Sequence, residues 1–487
     1  MSDVTTGSEW EVVVGLEVHV ELRTATKLFC SCPNSFGDVP NTNVCPVCLG
    51  LPGSLPVLNS RAVEMAATVG LALNARVQPS RFHRKNYFYP DMPKDYQISQ
   101  YDLPICAAGW LDLPDGHRVG VERAHLEEDT GKSTHLGGGG RLHGSDGSLV
   151  DYNRAGVPLV EVVSAPDIRS AEQARSYVAE LRSILVATGV SDGRMEEGSL
   201  RVDANVSVRR RGGTLGTRCE IKNLNSLRSL GRAIEHDAAR QVAVVESGRQ
   251  VSQETRHWNE EGGHTVPLRS KEEAFDYRYF PEPDLVPVEP PGELLDRLAS
   301  EMPPLPAERR RRLIDLASEG RQPSRAAEDQ VATVVDLGLD DLVLGAASRG
   351  ASTRLALARA ANEAATDPSA ARGLSVESFA KLVSMEDSGR LSATQAKAVL
   401  ARMLGEGGSP EQIAASLGYE ALDPSQLSAA VETVLATNGA EWQRFVDGDE
   451  KVAGFFVGQV MRVTGGKADG RAVRQVLAQR RLDSLAP

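Results

Sequence analysis

Between Val12 and Leu22 the chain alternates residue by residue: Val14, Leu16, Val18, Val20 and Leu22 fall on one side, and Gly15, Glu17, His19 and Glu21 on the other. A period of two predicts a β-strand with one face on a core. The pattern returns in LRVDANVSVR (200 to 209), where Val202, Ala204, Val206 and Val208 oppose Arg201, Asp203, Asn205 and Ser207. Over 170 to 189 the spacing changes to three and four. There SAEQARSYVAELRSILVATG opens on a Ser170 and Gln173 capping pair, carries Tyr177, Leu181, Ile184 and Leu185 on one stripe and stops at Gly189, which predicts a helix.

Residues 1 to about 280 hold the alternating valine runs, glycine-containing turns and most of the Tyr, Phe and His, which predicts a large sheet-based body. From Phe280, FPEPDLVPVEPPG places Pro281, Pro283, Pro287, Pro290 and Pro291 close together, too many for a helix or a central strand, and marks a boundary. Beyond it, STRLALARAANEAA (352 to 365) and VESFAKLVSMEDSG (376 to 389) carry amphipathic helix spacing. GEGGSP (405 to 410) is a linker ahead of a further helical segment. The expected fold is α+β: a largely antiparallel sheet domain over 1 to 292, an all-α domain over 293 to 406 and a small α-helical tail over 407 to 487. No helical pattern recurs at a fixed interval of roughly 20–50 residues, which argues against a solenoid.

The chain has 487 residues, room for two to four domains at roughly 100–200 residues each. With 41% hydrophobic and 25% charged residues it is an ordinary globular mixture, not a disordered or collagen-like one. No apolar run approaches the roughly 18 residues of a membrane span. The opening MSDVTTGSEW carries neither a signal-peptide core nor transit-peptide arginines, so a cytoplasmic bacterial protein without a membrane partner is expected. Lys and Arg number 54 against 66 Asp and Glu, a net charge of −12, which excludes coating nucleic acid by bulk charge and leaves RNA to local patches.

Glu17 and His19 stand roughly 6.5–7 Å apart along their strand and can reach one divalent ion, although a solvated sheet face alternates in the same way. The Arg201, Asp203, Asn205 face, with Glu220, Lys222, Asn223 and Asn225 of EIKNLNS, suits a cleft floored by antiparallel sheet, with a solvated face as the plain alternative. HLEEDTGKS (125 to 133) ends like a Walker A loop, yet Leu126 occupies the required glycine position, and Glu127, Glu128 and Asp129 follow where free amides are needed. Three acids repel phosphate unless a cation intervenes, so this stretch is either a Mg²⁺ site with Lys132 on phosphate oxygens or a charged loop. GGGG (137 to 140) reads as a hairpin tip. Cys30, Cys32, Cys45 and Cys48 form C-x-C and C-P-V-C pairs, which in a reducing compartment predict a closed, structural zinc site. Cys106 and Cys219 lack a nucleophile turn and read as buried thiols. The run RFHRKNYFYPDMPKDYQISQYDLP (81 to 104) can stack on an RNA end or pack its tyrosines on the body. Arg309 to Arg312 are a weaker RNA-contact candidate, which a charged turn of an exposed helix also explains.

GLEVHVEL, FHRKNYFYPDMPKDYQISQYDLPI, LEEDTGKSTH, EEGSLRVDANVSV, EIKNLNS, QETRHWN and DYRYFPEPDL together resemble the B subunits of the GatCAB aspartyl/glutamyl-tRNA amidotransferases. GFFVGQVMRVTGGKADGRAV (454 to 473) is similar to the YqeY-like helical domain of that family. The resemblance implies a sheet-built cradle for ATP and Mg²⁺, a helical domain and a tail that helps hold tRNA. It implies conversion of misacylated Glu-tRNA(Gln) or Asp-tRNA(Asn) to Gln-tRNA(Gln) or Asn-tRNA(Asn) through a phosphorylated acyl group. Ammonia would come from glutamine hydrolysed by an A subunit, with a C subunit completing a heterotrimer. On this reading Glu17, His19, Glu128, Lys222 and Arg201 are the expected catalytic residues, and Lys132, Asp203 and Asn205 the expected nucleotide contacts. Glu17, His19, Glu127, Glu128 and Glu220 are the expected Mg²⁺ ligands, and the four cysteines hold structural Zn²⁺. The chain has no Gly/Ser-rich amidase signature and no cysteine elbow, so a partner must hydrolyse glutamine. It also leaves no room for the inserted domain of the related archaeal E subunit. A non-catalytic RNA scaffold and a Mg²⁺-dependent ligase for a small acid are the rivals; acids in a cleft that meets phosphates oppose the first, and a separate helical tail the second.

Overall fold

The computed structural model describes residues 9–137, 145–268, 277–318, 322–419, 424–465, 468 and 470–485. Positions 138 to 140 of the tetraglycine, and 466, 467 and 469 of the tail motif, lie outside them. The chain divides into two compact units, Met1–Leu305 and Pro306–Pro487.

The first unit contains strands β1 (Trp10–Glu21), β2 (Arg76–Val77), β3 (His83–Asn86), β4 (Tyr96–Ser99), β5 (Cys106–Asp112), β6 (Arg118–Glu128), β7 (Lys132–Leu136), β8 (Gly147–Asp151), β9 (Pro158–Ser164), β10 (Leu200–Arg210), β11 (Cys219–Leu224), β12 (Thr255–Asn259), β13 (His264–Pro267) and β14 (Phe280–Pro281). Twelve of them join one sheet in the order β13-β12-β11-β10-β1-β9-β6-β4-β3-β14, with β5 on β6 and β2 on β5; β7 and β8 form a separate hairpin. Every pairing in the large sheet is antiparallel except β11 with β12. Helices α1 (Ser60–Ala72), α2 (Ala171–Ala187) and α3 (Leu227–Glu246) pack on β6, β1 and β10. They meet the apolar side of the sheet, where Val14, Leu16, Val18 and Val20 are fully buried among Tyr177, Leu181 and Leu230. One face covered by helices and one left polar is the usual way an antiparallel sheet meets water.

The predicted helix is α2: Ser170 Oγ accepts from the Gln173 N–H at 3.1 Å, and Gly189 follows its end at φ +70°. Gln173 Oε1 reaches back to the Arg169 amide at 2.9 Å, one residue before the cap. Two segments differ from expectation. The HLEE acids are the end of strand β6, not a loop, because β9 pairs along them as far as Glu128 with Pro158. The proline-rich segment belongs to the first unit: Phe280–Pro281 is an edge strand, where proline costs no ladder bond, and Ser80 and Val288 exchange two backbone hydrogen bonds of 2.8 Å. Leu285, Val288, Met302 and Leu305 pack on the core, and Arg297 reaches Glu64 of α1 at 3.1 Å, so the compact unit runs past the boundary expected at 292.

The second unit is helical throughout its described residues. One core runs from Leu313 to Ala414 and a separate one from Leu427 to Leu477. The helix Ala393–Glu406 ends at Gly407 (φ +71°) and Gly408 (φ +104°), and Pro410 starts the next. That next helix lays Ile413, Ala414 and Leu417 on the preceding core, so the change of core comes after the linker expected at 405 to 410. Arg309 is not a solvated charge: it pairs in two contacts with buried Asp340, while Arg311 and Arg312 are exposed. No helix among the described residues is long and apolar enough to cross a membrane.

Candidate functional site

Strand register builds the site. Arg201 on β10 pairs with His19 on β1, His19 with Glu161 on β9, and Glu161 with His125 on β6. Residues opposite one another share a face, so these four side chains form one row across four strands. Asp203 and Glu17 form the next row, and Glu127, two residues beyond His125, points the same way. His19 Nε2 lies 3.5 Å from Glu127 Oε1 and 3.9 Å from Glu161 Oε2, and His125 Nε2 lies 3.2 Å from Glu161 Oε2. One ligand atom from each of His19, Glu127 and Glu161 falls within 4.8 Å of the others. The cluster floors a cleft of ≈ 700 Å³.

Charge is arranged on both sides of this cluster. Lys222 Nζ bridges Asp203 at 2.6 Å and Glu220 at 2.8 Å, and these carboxylates carry its pKa above the lysine range against the opposing effect of burial. Arg201 meets Asp129 at 2.8 Å, with Arg154 3.5 Å away on the same carboxylate. Burial and then Asp129 push nearby Glu21 up to about 7. Glu17 is raised by burial and by Glu161, opposed by a 2.9 Å hydrogen bond from Asn205 Nδ2. Glu161 is buried, which would raise it, but His125 and His19 hold it below the usual carboxylate range. Two carboxylates and an imidazole converging in this way fit a divalent cation, and Lys222 and Arg201, each paired with carboxylates, stand at the cleft wall.

The structure brings together most but not all of the residues expected from sequence. Glu17, His19, Glu127, Arg201, Asp203, Glu220 and Lys222 line the cleft. Of these, Glu17 and Glu220 stand outside the three-ligand cluster, Glu17 held by Asn205 and Glu220 by Lys222 and by Thr255 at 2.8 Å. Glu128 is corrected. Consecutive strand residues face opposite ways, so Glu128 turns from Glu127 into the body, where Lys94 and the Ile98 amide take its carboxylate. Lys132 is also corrected: it is exposed on the β7 strand and borders a second cavity, with Arg154 and Asp151, rather than the cleft. Sequence reading missed Glu161 and His125. Glu161 did leave a signal, as a lone acid in the otherwise apolar run VPLVEVV, whereas the partnership of His125 with it rests on register alone.

The buried Lys94–Glu128 pair yields a first prediction. Lys94→Met should destabilise the unit by about 3–5 kcal/mol by stranding a buried carboxylate, and adding Glu128→Gln should recover much of the loss. Urea unfolding of both variants checks this; equal midpoints for Lys94→Met and the parent chain would mean the pair holds nothing.

The four clustered cysteines converge from two loops, and their Sγ atoms all lie within 4.8 Å of one another. The Cys45 N–H donates to Cys48 Sγ at 3.1 Å. Cys48 is held well below the thiol range by a hydrogen bond from Cys30, while that bond and burial push Cys30 up. Lys27, fully buried and donating to the Tyr152 carbonyl at 3.1 Å, also lowers Cys48. Four converging sulfurs beside a buried cation fit a tetrathiolate metal site. Cys106 and Cys219 are buried elsewhere.

Residues 12–296 match the family of GatB/GatE catalytic domains, and residues 350–480 match a second family described as the GatB domain. The B subunit of the aspartyl/glutamyl-tRNA(Asn/Gln) amidotransferase of Frankia casuarinae is 48% identical across 97% of this chain and 96% of its own length. Its counterpart in Salinispora tropica is 47% identical across 97% of each chain, and that in Mycobacterium tuberculosis 48% across 97% and 95%. A cleft-bearing first unit and a helical second unit, each matched by a domain of one family, together with relatives that align over 97% of the chain, mean that this chain belongs to the GatB family of amidotransferase B subunits.

Proposed function

We propose that this chain is the amide-forming subunit of a glutamine-dependent aminoacyl-tRNA amidotransferase acting on Glu-tRNA(Gln), Asp-tRNA(Asn) or both, in the bacterial cytoplasm. The observation that carries the reading is the convergence of His19, Glu127 and Glu161, from three strands, in a cleft walled by Lys222 and Arg201. A carboxylate is a poor acceptor for ammonia because its leaving group would be oxide. Transfer of the γ-phosphoryl group of ATP to that carboxylate releases ADP and creates an acyl phosphate; ammonia then attacks the acyl carbon, and phosphate leaves as the amide forms. His19, Glu127 and Glu161 would hold Mg²⁺, which supplies charge neutralisation for bringing two anions together. Lys222 and Arg201 orient phosphate oxygens, and Asn205 keeps Glu17 turned along the floor. Ammonia would be delivered by a partner amidase, the A subunit, with a C subunit completing the heterotrimer. The four cysteines would bind Zn²⁺ as a staple away from the chemistry.

The test supplies the assembled complex with Glu-tRNA(Gln), Mg²⁺ and γ-labelled ATP. Label should enter an acyl phosphate on the tRNA and leave as phosphate, with Gln-tRNA, once ammonia is added. Bound tRNA without label transfer would favour the scaffold reading. The core from Leu427 to Leu477 closes on itself, and we assign it to tRNA binding. Deleting 424 to 487 should weaken tRNA affinity about tenfold or more while the rate at saturating tRNA changes little, measured by filter binding and single-turnover amidation. An unchanged binding constant would remove the tail from the RNA interface.

A further inference from the structure

The acid floor of the cleft faces an aromatic wall to which the transfer chemistry gives no task. Tyr101 follows β4, and Tyr279 arrives just before the edge strand β14. Their rings stack with centroids 4.2 Å apart and planes at 13°, and both line the cleft. Tyr279 lines the cleft together with Glu127 and Glu161 of the floor. Tyr101 is 59% exposed, although one ring face is covered by Tyr279 and His83 meets it edge-on at 6.2 Å. A large aromatic surface left open inside a polar cleft is unfavourable in water and is relieved when a flat ring covers it. Lys85 lines the same wall, 4.7 Å from the centroid of the Tyr277 ring.

We propose that the Tyr101–Tyr279 stack is the platform on which an adenine is held in the cleft, so that the nucleotide's sugar and phosphate extend toward the acid floor and the Lys222 and Arg201 wall. The assignment of adenine rests on the function proposed above, which brings two adenines to this cleft: that of ATP and that of the terminal nucleotide of the aminoacyl-tRNA. Stacking reads only a π-face, so either adenine suits the platform, and the experiment separates them.

The assembled complex would be compared with its Tyr101→Ala and Tyr101→Phe forms. Dissociation constants would be measured for labelled Mg·ATP, for Mg·tripolyphosphate, which has no base, and for tRNA(Gln) with and without its terminal adenosine. Tyr101→Ala should weaken one adenine ligand about tenfold or more, Tyr101→Phe should restore it to within about twofold, and tripolyphosphate binding should stay unchanged. Weakened ATP assigns the platform to the cosubstrate. A loss seen only with tRNA that carries its terminal adenosine assigns it to the acceptor end. Equal loss for tripolyphosphate, or unchanged affinity for both adenine ligands in a complex that still amidates, overturns the platform and leaves the transfer reading standing. Absence of ATP-dependent amidation by the unaltered complex would instead overturn the transfer reading itself. Should Tyr101→Ala fail to fold, Tyr101→Leu keeps the bulk, removes the π-face and carries the same expectations.

Discussion

Replacing Glu161 by glutamine should lower ATP-dependent amidation by about 10²–10³-fold while leaving the partner's glutaminase activity and the melting temperature close to those of the parent complex. Glu161 stands between two imidazoles, 3.2 Å from His125 Nε2 and 3.9 Å from His19 Nε2, and its charge is one of two that would hold a cation against ATP. Glutamine keeps the shape and one oxygen but removes the negative charge, so the loss should appear in cation affinity and in the phosphoryl step. Titrating Mg²⁺ in single-turnover amidation reads this directly: a higher half-saturating concentration is expected, together with the lower rate. Glu128→Gln is the matched control. Its carboxylate faces Lys94 in the body, so its defect should be in stability and not in Mg²⁺ dependence. If the two variants reversed these roles, the assignment of β6 faces would be wrong.

Removing one sulfur of the cysteine cluster, as in Cys45→Ser, should release one equivalent of zinc and lower the melting temperature of the first unit by the order of 10 °C. The effect is large because the cysteine loops are tied into the core. Lys27 N–H donates to the Cys32 carbonyl, Leu28 and Phe29 are buried, and the Phe29 ring meets Phe82 edge-on at 5.4 Å. Acidification should act in the same direction, since thiolates must be protonated for the metal to leave, which makes zinc retention fall as pH falls. Elemental analysis and calorimetry of the parent and variant chains check both statements. A folded, zinc-free variant that melts with the parent would show that the cluster is not a staple.

How much of the fold and site is legible in the sequence depends on the range over which each interaction acts. Alternation around Glu17 and His19 and around Asp203 is local, and it reports both strands and the residues that face the cleft. The Ser170 cap and Gly189 are local too, and they bracket α2 closely. The HLEED acids are ambiguous in sequence because three consecutive charges read as a loop until a neighbouring strand pairs with them; pairing then forces Glu127 and Glu128 to opposite faces. The proline segment is legible as unable to form a helix or a central strand, yet its packing on the core is not, because Val288 finds Ser80 across more than two hundred residues of chain.

Sequence by itself determined the α+β class, the two polar strand faces, the four-cysteine cluster and, through long motifs, the family. The first three follow from periodicity, composition and spacing, which are properties of neighbours along the chain, and the family from the resemblance of whole motifs. Only the tertiary structure decided that Glu161 and His125 join His19, that Glu128 leaves the site, that Lys132 lies apart from it, and that Tyr279 comes to rest on Tyr101. The meeting of Glu161 and His125 with His19 and the turning away of Glu128 depend on strand order and register, which are set by how the apolar faces bury against one another, and a shift of one residue would have turned those side chains to the opposite face, whereas Tyr101 and Tyr279 lie just outside their strands and meet through the segments that carry them.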